Sequence, residues 1–197
     1  MLLRGLKSNI AINIAVILLV GMLLIEFVTI ITAQRGMTRF EILRGKLLIS
    51  SFKESLINFS DQKISTHQFK LKSSFDKMLH EAGFSCALIM DSKKKQIYFG
   101  GSDCDLQDEL MKLTYQAVKT GEKTTRFFGT VWGVFWRQSK NAVISSPIKR
   151  EGSIIGGISI ALPLEGVYET LRRSQKILFI YIFINTAILT FIGLYRL

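Results

Sequence analysis

Residues 142–171 read AVISSPIKREGSIIGGISIALPLEGVYETL, and the order of elements in this stretch decides the fold. A mostly apolar strand is predicted over 141–148, followed by a Lys-Arg-Glu-Gly turn over 149–152 and a returning strand over 153–162. In the returning strand apolar side chains recur at every second position, as expected when one face of a strand lies in a core. These side chains are Ile158, Ile160 and Leu162. The stretch therefore predicts an antiparallel hairpin within a sheet.

Pro163 ends the returning strand, because the proline nitrogen has no hydrogen to donate to a sheet. A helix is predicted to begin at Leu164 and to continue into residues 177–195, ILFIYIFINTAILTFIGLY, which carry no charge. About 20 apolar residues of helix cross the hydrocarbon core of a bilayer, where lipid offers the backbone no hydrogen-bond partner. We therefore predict a transmembrane helix over 177–195 that is continuous with the last helix of the preceding domain.

A second apolar stretch lies near the start of the chain. Residues 10–33 read IAINIAVILLVGMLLIEFVTIITA, and Glu26 is their only formal charge. The stretch is longer than the roughly 7–15 apolar residues of a signal peptide, and no typical cleavage site follows it. We predict an uncleaved transmembrane helix over 10–33, a cytoplasmic N-terminus over 1–9 and one domain over 34–176, a range of ordinary domain size.

Each predicted span contains one side chain that is costly to place in lipid, Glu26 in the first and Asn185 in the second. Both are expected to face protein, where either could help to hold the helices of a dimer together. For Glu26 a position near the headgroups, with the carboxylate reaching water, is the alternative.

The helix of the first span is predicted to continue into the domain, because apolar residues follow at spacings of 7, 3, 4 and 3. These residues are Ile42, Ile49, Phe52, Leu56 and Phe59. Such a seam suits either a parallel dimer stalk or packing on the domain's own sheet. The sequence leaves both open.

The remaining elements complete an α+β domain with a five-stranded antiparallel sheet. Two helices are predicted over 66–82 and, from an Asp105 N-cap, over 105–119. The other strands are predicted over 85–90, 96–99 and 124–138. The last of these is rich in aromatic residues, and Gly129 and Gly133 are its expected bend or bulge points.

Three stretches resemble a known family: CALIMDSKKKQIYFGG over 86–101, Lys-Thr-Gly-Glu over 119–122, and residues 142–171. Their order resembles the single Cache domain, a PAS-like extracytoplasmic sensor, and the resemblance covers about 40–175. Such domains usually lie between two spans in bacterial sensor histidine kinases, chemoreceptors and cyclic-dinucleotide enzymes. We also expect a homodimer in the bacterial inner membrane, and residues 196–197 look like the start of a cytoplasmic HAMP-like linker.

The resemblance implies an input module that senses a small extracytoplasmic ligand and passes the signal through the second span to a cytoplasmic output. A histidine kinase is the expected parent. A chemoreceptor, or a membrane-anchored interaction protein without an output domain, is the alternative. We expect no catalytic residues and no cofactor, because no catalytic motif is recognisable. We also expect no metal site, because neither histidine has metal-ligand spacing to the cysteines.

The formal net charge of +11 raises the question of nucleic-acid binding. The Lys and Arg residues are scattered or lie next to the spans, where they suit anionic headgroups, and no recognition motif accompanies them. We therefore expect no nucleic-acid partner. Arg4 and Lys7 favour a cytoplasmic start, but charges next to the spans are more frequent on the domain side. Loops longer than about 60 residues translocate largely regardless of charge, so charge leaves the sidedness open.

The aromatic strand is the best candidate for ligand binding, since Trp and Arg together on a sheet suit a small anion or an amphipathic ligand. Its predicted ligand residues are Arg126, Phe128, Trp132, Trp136 and Arg137. The family resemblance adds Tyr98, Ser145 and Ser146. In the alternative interpretation the aromatic residues belong to the core and Arg126 and Arg137 are solvated.

The two cysteines, Cys86 and Cys104, lie at the start of one predicted strand and just past the next. The hairpin brings them within plausible range of each other, and an oxidising compartment would permit a disulfide. A buried Cys86 with a free Cys104 is the alternative, and the sequence leaves both open.

Overall fold

The computed structural model describes residues 2–60, 68–101 and 104–196. In chain order the elements are α1 (Leu2–Ser60), α2 (Gln68–Ala82), β1 (Cys86–Asp91), β2 (Gln96–Gly101), α3 (Gln107–Thr120), β3 (Thr124–Phe128), β4 (Val131–Trp132), β5 (Arg137–Gln138), β6 (Asn141–Arg150), β7 (Ser153–Pro163) and α4 (Glu165–Arg196). They belong to two compact units. Thr38–Gly166 is called the domain here, and Met1–Met37 with Val167–Leu197 the span unit.

A five-stranded antiparallel sheet in the order β2-β1-β7-β6-β3 forms the centre of the domain. Its longest strands, β6 and β7, form the hairpin that residues 142–171 predict. The turn between them is made by Glu151 and Gly152, both with positive φ (49° and 83°). The predicted α+β fold, with its antiparallel five-stranded sheet and long N-terminal helix, is confirmed.

One face of the sheet, called the α3 face, packs against α3. The buried residues of this core come from β1, β6, β7 and α3. They are Cys86, Leu88, Met90, Val143, Ala161, Leu110 and Leu113. Side chains alternate between the two faces along a strand. The strand register and these known positions therefore show which face each remaining residue of the sheet lies on.

The opposite face, called the α1 face, lies against α1 and α2. A Cβ atom at Gly45 would lie 2.5 Å from Ile144 Cδ1 and 3.0 Å from Leu162 Cδ2, so the backbone of α1 approaches the sheet closely. Further along α1, the ring of Phe52 meets Phe75 of α2 with centroids 4.5 Å apart.

The predicted seam on α1 lies partly inside the domain. Ile49 and Phe52 are 3% and 0% exposed, so this part of the seam packs within the domain and does not form a stalk. Phe59 lies outside the residues whose side chains are described, and so does the predicted helix start at Thr66.

Two predicted details are wrong. The N-cap of α3 is Leu106, without a side-chain hydrogen bond, so Asp105 does not cap this helix. Asp108 and Glu109 in the first turn instead place negative charge near the helix N-terminus. The aromatic stretch is not one strand over 124–138. It divides into β3 and a two-stranded hairpin of β4 and β5.

Both α1, between Ile12 and Ile57, and α4, between Glu165 and Ile192, contain a stretch long and apolar enough to cross a membrane. The two helices meet where Thr186 Oγ1 lies 4.0 Å from Met22 Sδ. Glu26, one turn beyond Met22, is 6% exposed. Neither of its carboxylate oxygens has a hydrogen-bond partner among the described residues. The carboxylate thus faces protein, as expected.

Candidate ligand-binding site

β3 is an edge strand and carries two of the predicted ligand residues, Arg126 and Phe128. Arg126 pairs with Val143, and Phe128 pairs with Asn141, so both lie on the α3 face. Phe128 packs against the core beneath α3, whereas Arg126 is exposed. The strand therefore presents a guanidinium group at the rim of the α3 face.

Residues 129–140, called the aromatic hairpin, follow β3. The chain turns at Gly129, whose φ is 67°, and Gly133 N–H donates a 2.9 Å hydrogen bond to the carbonyl oxygen of Trp136. Trp132 and Arg137 are cross-strand partners, with the guanidinium carbon 5.8 Å from the indole centroid. Trp132 is 63% exposed and Trp136 41%, so the two tryptophans do not belong to the core.

Ser145 belongs to a chain of buried hydroxyl groups on the α3 face. Its Oγ bonds to Ser159 Oγ of β7, and Thr114 of α3 donates to Ser159 Oγ or to Leu110 O, each at 2.6 Å. All three hydroxyl-bearing residues are 0% exposed. Because buried polar groups are costly without partners, the chain fixes α3 against the central strands. A ligand that reached Ser145 would have to displace one of these bonds.

Tyr98 lies on the α1 face, at the far edge of the sheet. Its hydroxyl donates to Asp76 Oδ1 of α2 at 2.6 Å, and its ring meets Phe75 with centroids 5.4 Å apart. A Cβ atom at Gly100 would clash with Tyr98 and with Asp76, so this glycine leaves the space in which the bond forms. Burial, and then the bond to Asp76, raises the pKa of the Tyr98 phenol. Tyr98 thus joins α2 to the sheet.

Ser146 also faces α1, where Lys53 Nζ donates a 2.7 Å hydrogen bond to its Oγ. Burial first, and then the charges of Lys123 and Lys149, lower the pKa of Lys53 to about 8. Sequence reasoning missed Lys53. The one signal was its place next to Phe52 in the predicted seam, and that position does not reveal which strand the helix crosses.

The predicted ligand residues therefore lie in three places. Trp132, Trp136 and Arg137 are in the aromatic hairpin. The α3 face carries Arg126, Phe128 and Ser145, on neighbouring strands. Tyr98 and Ser146 are on the α1 face, separated by β1 and β7.

A disulfide joins Cys86 at the start of β1 to Cys104, with Cα atoms 5.7 Å apart. Cys86 is fully buried in the core of the α3 face, and Cys104 packs against the same core. The bond thus ties the segment before α3 to β1. Among residues 2–60, 68–101 and 104–196, no group of three or more His, Cys, Asp or Glu side chains could hold a metal ion.

No protein-family model matches this chain, and no curated protein matches it. Among solved structures it is similar to the sensory domain of the Campylobacter jejuni chemoreceptor Tlp3 with isoleucine bound. The TM-score is 0.54 and the identity 13%, over 80% of this chain and 65% of that one. The ligand-binding domain of Tlp3 in complex with L-valine gives a TM-score of 0.54 at 14% identity, over 80% and 66%.

This chain thus spans just under two thirds of the length of these structures. At such low identity the similarity shows the fold, which is that of a chemoreceptor sensory domain. The sensor-domain resemblance seen in the sequence is confirmed at this level, together with two flanking helices that could span a membrane.

Proposed function

We propose that this chain is the input module of a membrane receptor that binds a small extracytoplasmic ligand. The observation that carries the proposal is the connection between sheet and span. The central strand β7 ends at Pro163 and α4 begins at Glu165, so one residue separates the sheet from a membrane-length helix. A ligand that favours one arrangement of the sheet can bias the helix only through its differential affinity for the two arrangements.

The output on the far side of the membrane is proposed to be a histidine kinase, with a chemoreceptor signalling domain as the alternative. The disulfide supports an extracytoplasmic domain, because disulfides persist in oxidising compartments and are rare in the cytosol. The bacterial inner membrane is the proposed location.

The proposed ligand site is the rim of the α3 face, formed by Arg126 and the aromatic hairpin with Trp132 and Arg137. The exposed guanidinium group of Arg137 lies beside the indole ring of Trp132, and such a pair suits a carboxylate with an apolar side chain, through charge-assisted hydrogen bonds and ring contacts. Tlp3 was solved with isoleucine and L-valine, so L-amino acids are the first ligands to test.

The Arg126→Ala variant is expected to bind such an amino acid at least about tenfold more weakly, since a charge-assisted hydrogen bond contributes about 1.5–3 kcal/mol. Calorimetry on the full chain in detergent measures this, with Arg39→Ala, an exposed arginine on α1, as the control. Equal affinity in wild type and Arg126→Ala would remove Arg126 from the site.

Signal transmission is tested in the span unit, where Met22 and Thr186 are in contact. A Met22→Cys, Thr186→Cys chain should form a disulfide between the spans at a rate that changes when ligand binds. Native cysteines do not interfere, because both are bonded. An unchanged rate at saturating ligand would contradict transmission through α4.

A homodimer is proposed as the working state, and α1 offers a surface for it. Phe40, Leu43 and Leu47 follow at helical spacing and are 60%, 54% and 61% exposed, unlike the buried Ile49 and Phe52. Such a stripe suits the a and d positions of a parallel helix pair. This stripe, and not the seam predicted from the sequence, is the proposed contact.

Leu43→Cys is therefore expected to crosslink two chains in membranes, and Leu43→Glu to shift the chain toward monomer, because it buries a charge in the contact. Crosslinking yield and light scattering in detergent measure the two effects. Lys46→Cys, exposed on the same helix, is the control. Equal crosslinking at 43 and 46 would contradict a contact centred on Leu43.

The exposed aromatic rings of the hairpin favour a second candidate, an anchored protein that docks an extracytoplasmic partner. Aromatic and arginine side chains are enriched at protein interfaces. Under this alternative, Trp132→Ala would weaken partner capture and no small ligand would alter crosslinking between the spans.

A further inference from the structure

Three lysines lie near the buried Ser146, whose side chain is on the α1 face, away from the site proposed above. The first is Lys53 of α1, whose half-buried ammonium group donates to Ser146 Oγ at 2.7 Å. Ser146 is 2% exposed. Since this oxygen accepts from Lys53, its own hydrogen remains available to a further acceptor.

The other two lysines come from the strands next to this bond. Lys123 directly precedes β3, whose first residue, Thr124, pairs with Ser145, so the register puts Lys123 beside Ser146. Lys149 lies three positions further along β6, so alternation puts its Cβ atom on the α3 face, while its charge still acts on Lys53. The Nζ of Lys149 is 3.8 Å from where a Cβ atom of Gly121 would stand, so it reaches the segment between α3 and β3.

Among the residues that the structure describes, no ion pair joins Lys53, Lys123 or Lys149 to a carboxylate. Lys53 experiences both burial and the repulsion of the other two cations, and its lowered pKa reflects these causes in that order. A nearby negative charge would relieve the repulsion and favour the charged form of each lysine.

We propose that Lys53, Lys123, Lys149 and Ser146 bind a small anion carrying two negative charges, such as a phosphate or a dicarboxylate. The ammonium groups supply charge-assisted bonds to its oxygens, and the Ser146 hydroxyl donates one more. The site lies where α1 crosses β6, so an occupant joins the long helix to a central strand. The proposal is independent of Arg126, which lies on the other face.

The test uses the full chain in detergent with inorganic phosphate and succinate as probes, at constant ionic strength set by sodium chloride. Both Lys53→Gln and Lys149→Gln are expected to weaken binding of a probe by about tenfold or more, the effect of losing one charge-assisted bond. Lys93→Gln, an exposed lysine in the β1–β2 turn, is the matched control and should bind as wild type. Arg126→Ala should also bind these probes as wild type.

A second readout follows Lys53 itself by NMR of its Nζ-methylated form. Its pKa should rise from about 8 when the probe binds, because an anion stabilises the ammonium group. The exposed Lys149 does not support the fold, so its variant stays informative even if Lys53→Gln unfolds. The proposal is overturned if wild type binds phosphate and succinate no more tightly than acetate, which carries a single negative charge. It is also overturned if Lys149→Gln binds the probes with the affinity of wild type, or if Arg126→Ala alone abolishes binding.

Discussion

A leucine in place of Gly45 is expected to lower the free energy of unfolding of the domain by about 3 kcal/mol, the upper end of the usual cost of overpacking. Even a Cβ atom at this position would lie 2.5 Å from Ile144 Cδ1 and 3.0 Å from Leu162 Cδ2. A leucine adds three further carbons to a space that is already closed. To accept it, α1 must move away from the sheet, and the Lys53–Ser146 hydrogen bond would lengthen or break.

Gly36 provides the control on the same helix, because no atom lies within 4 Å of the position of its Cβ. Gly36→Ala should leave stability unchanged or raise it by about 0.5–1 kcal/mol, since glycine inside a helix is less favourable than alanine. Urea unfolding of the full chain in detergent, followed by near-UV circular dichroism, measures both. If Gly45→Leu were as stable as Gly36→Ala, the close approach of α1 to the sheet would be contradicted.

Removal of the disulfide by Cys86→Ala and Cys104→Ala is expected to lower the free energy of unfolding by roughly 3 kcal/mol. The bond closes a loop between residues 18 positions apart, which restricts the unfolded chain. Alanine is compatible with the apolar core around Cys86, so the fold itself should persist.

The same unfolding measurement with a reductant distinguishes the bond from the substitution. The free energy of unfolding of reduced wild type should decrease toward that of the double variant. The free energy of unfolding of the double variant should not change when reductant is added. A double variant as stable as oxidised wild type would show that the bond contributes nothing to the folded domain.

The strands and the two long apolar helices could be predicted because their signals are local. Residues 10–33 and 177–195 are long apolar stretches, and the helices found there include both ranges. The β6–β7 hairpin was marked by its turn and by Pro163. The aromatic stretch was different. The alternation of its side chains is compatible with one strand. The positive φ of Gly129 and the hydrogen bond from Gly133 N–H divide the stretch into β3 and the aromatic hairpin.

The candidate site could be predicted only in part, because alternation assigns faces within one strand but not the order of strands. Arg126 and Phe128 do share a face, as period-two spacing predicts. Tyr98 and Arg126 were grouped together, yet β2 and β3 are the two opposite edges of the sheet. Lys53 was missed for a similar reason. Its partner Ser146 lies 93 residues away, and no short-range pattern encodes that contact.

Ser145 and Ser146 are neighbours in sequence, yet one bonds to β7 on the α3 face and the other to α1 on the opposite face. A carbon isotope label in either serine, which leaves its hydroxyl group and hydrogen bond intact, would therefore sample a separate environment on the same strand. Comparing the two labels would tell which side of the sheet an added compound perturbs. β6 thus carries a built-in pair of reporters that can separate the two proposed sites within one chain.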